Sequence, residues 1–227
     1  MVMKLDRVVP FGRSLAEYKL MFALSEKDLQ SRILGVGDGP ASFNAEGTRI
    51  GAKITSIDPL YCFDGKEIKQ RFDDVVDVII EQVIATPGNW VWNYYRNPQE
   101  LKAGRIKTIE TFLADYERGK QEGRYQTQEL PSLDFIDRLF DLALCSHFLF
   151  LYSEQYSQEF HLAAIKEMLR VSRAVRIFPL LTLEQKKSPY LNFIQTELRN
   201  LDYVVEIRDV PYELQPGGNQ MLAIAPR

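Results

Sequence analysis

Apolar positions recur along the chain with both strand-like and helix-like spacing, and together they predict an α/β domain. Ile33 to Val36 and Ile54 to Ile57 are short apolar runs that bracket a glycine-rich turn and a short helix, "ASFNAEGTRIGA" (residues 41–52). A strand, a turn, a helix and a second strand form a βαβ unit, which implies a parallel sheet. Upstream, Ser14 and Glu17 form a capping box, which predicts a helix before the first strand.

A helical insertion of about residues 65–123 is predicted between strands two and three. The segment "KEIKQRFDDVVDVIIEQVIAT" places its apolar residues on one helical face. A second helix begins with Asn97 as its cap and Pro98 at its first position. We interpret the two helices as a cap within a single domain that spans residues 1–227.

The second half of the chain predicts the remaining strands. "RYQTQEL" (124–130), "FDLALCSHFLFL" (140–151) and "RAVRIFPLL" (173–181) are assigned as strands three, four and five. The tail holds two more strands, and because no helix connects them we expect an antiparallel hairpin. The predicted fold class is α/β, with a doubly wound, mostly parallel seven-stranded sheet and an antiparallel last strand.

Composition narrows the classes of function. Apolar residues make up 45% of the chain and charged residues 26%, and the net charge is -3, which is typical of a soluble globular protein and shows no basic excess for a nucleic acid. Two cysteines and two histidines follow no metal-ligand spacing, so no metal site is expected. Without a signal sequence or a membrane-length apolar run, the protein is expected to be cytoplasmic, with a homodimer as one possible assembly.

Four segments, in order, resemble the class I S-adenosylmethionine (SAM)-dependent methyltransferases. "ILGVGDGPASF" is similar to the glycine-rich loop of that family and "SIDPLY" to the acidic end of its second strand. "QELPSLDFIDRLFDLALCSH" and "IKEMLRVSRAVRIFPL" are similar to the stretches around strands four and five. The overall look is that of an uncharacterised bacterial branch. The resemblance implies SAM as cofactor and methyl transfer to an unidentified small-molecule acceptor.

The resemblance also implies which residues hold the cofactor. Gly37 and Gly39 would let the backbone turn sharply against its amino-acid end, and Asp58 could accept hydrogen bonds from both ribose hydroxyls. Glu129 and Leu130 stand where the family contacts the adenine. Gly35, Asp38, Pro59 and Ser146 complete the set of predicted cofactor-binding residues.

The sequence departs from the family at two positions of the loop. The acidic residue expected two positions before the first loop glycine is Gly35, and the third glycine is replaced by Ala41. We hypothesise that Asp38, inside the turn, supplies the missing negative charge for the ammonium group of the cofactor. Read without the family, Asp58 could equally be a turn former and the glycine turn a tight connection.

Two other functions remain open. One is a protein that binds SAM or S-adenosylhomocysteine (SAH) as a sensor or interaction module without transferring a methyl group. The other is an NAD-binding oxidoreductase, because "GVGDGPAS" and a later acid loosely fit that fingerprint. Asp38 argues against NAD, since it would bring a negative charge to the pyrophosphate.

Candidate residues for the chemistry and for the acceptor are few. His147, at the end of strand four, is the tentative general base, although it could instead bond a neighbouring loop. His161 is interpreted as a packing or surface residue. Trp90, Trp92, Tyr94 and Tyr95 are tentative substrate-binding residues that could instead attach the insertion to the sheet. Arg105, Lys107 and Lys120 are interpreted as part of a solvated face.

Overall fold

The computed structural model describes residues 9–227 and has one seven-stranded sheet with helices on both faces. The strands are β1 (Arg32–Val36), β2 (Lys53–Ile57), β3 (Tyr125–Gln126), β4 (Phe140–Ser146), β5 (Ser172–Phe178), β6 (Tyr203–Asp209) and β7 (Gln220–Pro226). The helices are α1 (Leu15–Met21), α2 (Glu26–Leu29), α3 (Phe43–Arg49), α4 (Gly65–Ala85), α5 (Pro98–Gln121), α6 (Gln158–Val171) and α7 (Leu191–Asn200).

The strand order is β3-β2-β1-β4-β5-β7-β6. Strands β1 to β5 pair in parallel, whereas β7 runs antiparallel to both β5 and β6. This arrangement confirms the predicted fold class. The order reverses between β1 and β4, and open parallel sheets bind their ligands at the carboxyl ends of strands at such a point.

Helices cover both faces of the central strands, which explains why those strands are almost continuously apolar. Leu34 and Val36 of β1 pack in one core cluster with residues of α6 and α7, whereas Ile33 packs in a second cluster with residues of α1 and α3. The capping box of Ser14 and Glu17 starts α1, as predicted. Among residues 9–227, no helix combines the length and the apolar character that a bilayer crossing requires.

The predicted helical insertion contains α4 and α5, which pack on each other through a third apolar cluster. Helix α5 also contacts α3 and β3, so it serves as the crossover connection from β2 to β3. Helix α4 is the additional element, and its residues Ile79 and Val83 line the cavity described below. The interpretation of residues 65–123 as a cap stays a prediction.

Several elements differ from those predicted, and β5 ends at Phe178 instead of residue 181. Strand β3 has two residues instead of seven, and α2 was not predicted, although Ser25 and Asp28 form its capping box. Strand β4 ends at Ser146 because His147 adopts a positive φ of 52° and donates its backbone N–H to the carbonyl oxygen of Phe178 at 2.7 Å. The apolar residues that follow form a short 3₁₀ helix, Phe150–Tyr152, instead of a continuing strand.

Candidate functional site

A cavity of about 640 Å³ opens at the carboxyl ends of β1, β2 and β4, and apolar and aromatic side chains form most of its lining. Its volume falls within the range of roughly 300–1,000 Å³ that small-molecule sites occupy. Ten of the predicted site residues line it: Gly37, Asp38, Gly39, Asp58, Pro59, Trp90, Glu129, Leu130, Ser146 and His147. Gly35, Trp92, Tyr94 and Tyr95 are not part of the lining.

The glycine-rich turn after β1 requires glycine for its backbone conformation. Gly37 and Gly39 have φ values of +63° and +51°, in the left-handed region that side chains disfavour. A Cβ atom at Gly37 would also lie 3.2 Å from the ring of Phe148. The N–H of Gly37 donates to the carbonyl oxygen of Ile57 at 2.9 Å, which fixes the turn against the end of β2.

Gly35 and Asp38 form one feature of the site. A Cβ atom added at Gly35 would lie 1.8 Å from Oδ2 of Asp38, so the Asp38 carboxylate occupies the space that a side chain at position 35 would need. The hydroxyl groups of Tyr18 and Ser56 each donate to this carboxylate at 2.6 Å. The absence of a side chain at Gly35 therefore leaves room for the carboxylate of Asp38.

The pKa of Asp38 is raised to about 7. Burial is the largest cause, since the residue is only 5% exposed and burial penalises the charged form. The hydrogen bonds from Ser56 and Tyr18 oppose the rise, and the nearby charge of Asp58 adds to it. Asp38 thus lies close to the midpoint of its titration at neutral pH and would become ionised beside a cation.

Asp58, at the end of β2, links the turn to the segment that follows β2. Its Oδ2 accepts the N–H of Gly39 and its Oδ1 accepts the N–H of Leu60, both at 2.8 Å. It therefore caps the 3₁₀ helix Pro59–Cys62, as the turn-forming interpretation expected. Burial raises its pKa and the two backbone N–H groups counteract the rise. Each carboxylate oxygen still has a second lone pair with which to accept a ligand hydroxyl.

His147 lies at the carboxyl end of β4 beside Ser146. Its Nδ1 is 2.9 Å from Oγ of Ser146, and its ring packs edge-on against Phe178 at 5.4 Å between centroids. Burial lowers the pKa of His147 well below its usual value, and the positive charges of Arg13 and Arg105 lower it further. The ring is therefore neutral at physiological pH, and the same surroundings make it a weak base.

His161 lies outside the cavity lining. It is fully buried, and its two ring nitrogens each lie 2.8 Å from a backbone carbonyl oxygen, those of Ser157 and Leu149. This arrangement accords with the packing interpretation of this residue.

The four aromatic residues predicted to bind substrate do not act together. Trp90 lines the cavity and donates from Nε1 to Oγ1 of Thr86 at 3.1 Å. All four side chains contact the apolar cluster of α4 and α5, and Trp92, Tyr94 and Tyr95 do so without lining the cavity. Three of the four predicted substrate contacts are therefore packing residues, because the segment turns between two helices and presents only one ring to the cavity.

The interpretation of Arg105 as solvated was wrong. Arg105 is 1% exposed, and its Nη1 and Nη2 each donate to one carboxylate oxygen of Glu17, both at 2.8 Å. Arg105 follows Leu101 by four residues and precedes Ile109 by four, so helical spacing places it on the buried face of α5. That spacing was the signal available in the sequence. Lys107 and Lys120, also interpreted as solvated, are exposed, and Lys120 in addition donates to the carbonyl oxygen of Tyr61 at 2.7 Å.

Comparisons with known proteins give one relative by sequence and several solved structures with low sequence identity. No protein-family model matches the chain. Among solved structures, the magnesium protoporphyrin IX methyltransferase of Synechocystis PCC 6803 with bound SAM is 12% identical, with 94% of this chain and 80% of that chain covered and a TM-score of 0.49. The PH0226 protein of Pyrococcus horikoshii OT3 is 9% identical, with 93% and 90% covered and the same TM-score of 0.49. At this sequence identity and TM-score, the similarity of these structures gives no information on the function or the ligand of this chain.

The sequence relative is closer. "Uncharacterized protein MJ0045" of Methanocaldococcus jannaschii is 35% identical over 223 residues, which cover 98% of each chain. This relative is archaeal, so the expectation of a bacterial branch gains no support from it. The chain belongs to the same family as this protein.

Proposed function

We propose that this protein binds SAM and transfers its methyl group to a small-molecule acceptor. The observation that carries the proposal is the pair of carboxylates at the turn between β1 and α3. Asp38 occupies the space beside Gly35, and Asp58 holds the N–H of Gly39. A ligand with a cationic amino-acid end would match Asp38, which is near the midpoint of its titration. A ribose diol on the same ligand would match Asp58, whose carboxylate oxygens keep free lone pairs.

The residues of the cavity fit such a cofactor in three places. Asp38 would pair with the ammonium group, Asp58 would accept the ribose hydroxyls, and Glu129 and Leu130 would border the adenine. Glu129 is exposed and Leu130 is buried, and both line the cavity, as does Pro59. When bound, SAM supplies a methyl group on a positively charged sulfur, which is already activated for displacement.

The chain itself contributes alignment and exclusion of water. Phe148, Leu151 and Tyr152 line the cavity near the end of β4, and apolar walls of this kind keep water from a reactive group. Holding an acceptor in line with the methyl carbon supplies much of the catalysis of such a transfer. His147 could accept a hydrogen bond or a proton from the acceptor, and its lowered pKa makes it suited to acceptors that lose their proton easily. Its catalytic role stays a prediction.

NAD is disfavoured in the same place. Its pyrophosphate would lie over the turn that contains Asp38, and the charge of Asp58 is also close. Both carboxylates would repel the phosphate oxygens in a buried site where water screens little.

Calorimetric titration of the full chain with SAM, SAH and NAD tests the proposal. We expect SAM and SAH to bind and NAD not to bind. Asp58→Ala should weaken SAM and SAH by about tenfold or more, because hydrogen bonds to a buried carboxylate are lost. Glu81→Ala, which removes an exposed carboxylate on α4, is the matched control and should leave both affinities unchanged. A wild-type protein that binds neither SAM nor SAH would overturn the proposal.

A further inference from the structure

The segment before α1 places a cationic side chain on the cavity. Phe11, Gly12 and Arg13 all line it, and the carbonyl oxygen of Arg13 accepts the N–H of Ser42 at 3.1 Å, so the segment crosses the glycine-rich turn. The side chain of Arg13 is 11% exposed. A guanidinium this deeply buried normally has a carboxylate partner, because burial of an unpaired charge is costly.

The obvious partner of Arg13 is already engaged. The carboxylate of Glu17 accepts two hydrogen bonds from Arg105, one from the backbone N–H of Ser14 at 3.0 Å and one from the hydroxyl of Tyr212 at 2.9 Å. Nε of Arg13 is 4.0 Å from Oε1 of Glu17, beyond hydrogen-bond distance.

Within residues 9–227, the remaining contacts of Arg13 provide no anion for its charge. Nη1 donates to the backbone carbonyl oxygens of Phe11 and Gly12, which are neutral acceptors. Nε of Arg13 is buried and has no hydrogen-bond partner within residues 9–227. Among the residues that the structure describes, two arginines therefore share one carboxylate, and the cluster has an excess positive charge beside the cavity.

The surroundings of this charge are apolar and lead to His147. Tyr212, which donates to Glu17, packs against Phe178 at 5.9 Å between ring centroids, and Phe178 packs against His147 at 5.4 Å. All three residues line the cavity together with Arg13. These contacts connect the charged cluster of Arg13 to the part of the cavity around His147, while the backbone of Arg13 also contacts the turn that holds Asp38.

We propose that Arg13 binds an anionic group, such as a carboxylate, of an otherwise apolar acceptor molecule. This inference rests on the proposed function, because it assigns the cavity around His147 to the acceptor. The carboxylate of the cofactor's own amino-acid end has the same chemistry. The experiment must therefore separate the two sources.

Binding of matched acids and amides to the SAH-saturated full chain tests the proposal. The probes are 2-naphthoate, 4-phenylbutanoate and decanoate, each with its neutral amide. We expect at least one acid to bind about tenfold or more tightly than its amide, because a charge-assisted hydrogen bond forms with a buried cation. Arg13→Gln should abolish the preference and Arg13→Lys should keep part of it. Arg49→Gln, which removes an exposed positive charge on α3, should change nothing.

The variants also separate the acceptor from the cofactor. Arg13→Gln should bind SAH and 5′-methylthioadenosine, which lacks the amino-acid end, as tightly as the wild type does. Weaker binding of SAH alone would assign Arg13 to the cofactor carboxylate and overturn the proposal. Equal binding of acids and amides, or binding of neither, would overturn it as well. If the acid preference were present in a wild-type chain that did not bind SAH, the anion site would stand and the proposed cofactor would fall.

Discussion

The carboxylate of Asp38, at the glycine-rich turn, and the carboxylate of Glu17 are both buried, but the protein stabilises them in opposite ways. Asp38 accepts hydrogen bonds from the neutral hydroxyl groups of Tyr18 and Ser56, and its pKa rises to about 7. Glu17 has the guanidinium of Arg105, and its pKa falls to about 2 even though burial alone would raise it. A carboxylate without a cation is poised to receive one from a ligand, whereas the pair of Glu17 and Arg105 is complete within the chain.

The same contrast distinguishes a carboxylate suited to binding a ligand, Asp38, from one that stabilises the fold, Glu17. Catalytic and binding sites are where burial and neighbouring charges shift pKa values toward neutrality. A buried ion pair with several further hydrogen bonds instead fixes the relative position of the elements that carry it, here α1 and α5. We therefore expect changes at Glu17 to affect folding and changes at Asp38 to affect ligand binding and pH dependence.

Glu17→Gln should have the largest effect on stability. It leaves Arg105 and Arg13 buried without any carboxylate, and breaking one side of a buried pair costs about 3–5 kcal/mol. Thermal and denaturant unfolding should both show a lower free energy of unfolding. Glu110→Gln, an exposed change on α5, serves as the control and should lie within about 0.5 kcal/mol of the wild type. A Glu17 variant of wild-type stability would contradict the structural role of the pair.

Asp38→Asn should change how stability depends on pH. The pKa of Asp38 is about 7 in the folded protein, against an ordinary value of 3.8. Its contribution to the free energy of unfolding is fully present below the lower value, falls as the pH rises, and is lost above about pH 7. The slope comes from a proton that the folded state keeps and the unfolded state has released. The loss amounts to roughly 1.4 kcal/mol for each unit of pKa difference.

The Asn variant cannot ionise, so its stability relative to the wild type should improve steadily between about pH 4 and pH 8. Denaturant unfolding at several pH values in this window measures the difference. The exposed change Asp134→Asn should give a pH profile parallel to that of the wild type. If the profile of Asp38→Asn were also parallel, the carboxylate would have an ordinary pKa in the folded protein.

Binding of SAH should report the same titration from the ligand side. If Asp38 pairs with the ammonium group, the ionised form binds better, and a pKa of about 7 makes the affinity about tenfold higher at pH 8 than at pH 6. Calorimetry at the two pH values should show this rise in the wild type and a flat profile in Asp38→Asn. The same rise in both proteins would place the ammonium group elsewhere.

The sequence predicted a mostly parallel seven-stranded sheet, and its clearest signals were the apolar runs of β1 and β4, which are buried along almost their whole length. The turn was also predictable from local sequence, because Gly37 and Gly39 lie between a parallel strand and the helix that follows it. Local pattern is sufficient where the residues that decide a structure are neighbours in the chain.

Contacts between distant residues escaped prediction. Glu17 was explained by its capping box with Ser14, which the structure contains, and that local role concealed its bonds to Arg105, 88 residues away. The compensation between Gly35 and Asp38 was anticipated only as a charge in the turn. The side chain of Asp38 fills the space beside Gly35 because of the fold of the turn. It is held there by the hydroxyl groups of Tyr18, on α1, and Ser56, on β2.

We expect the smallest effect from Trp90 and Trp92. Both rings pack against the cluster of α4 and α5, and Trp90 also lines the cavity, whereas Trp92 does not. Trp90→Ala should weaken the tightest-binding apolar acid severalfold, on the order of 1 kcal/mol, because an aromatic contact is lost. Trp92→Ala should spare that affinity and lower only the melting temperature. Binding of SAH should be unchanged in both variants, because neither ring is among the residues proposed to hold the cofactor. If Trp92→Ala weakened acid binding as much as Trp90→Ala, the acceptor would extend beyond the residues that line the cavity.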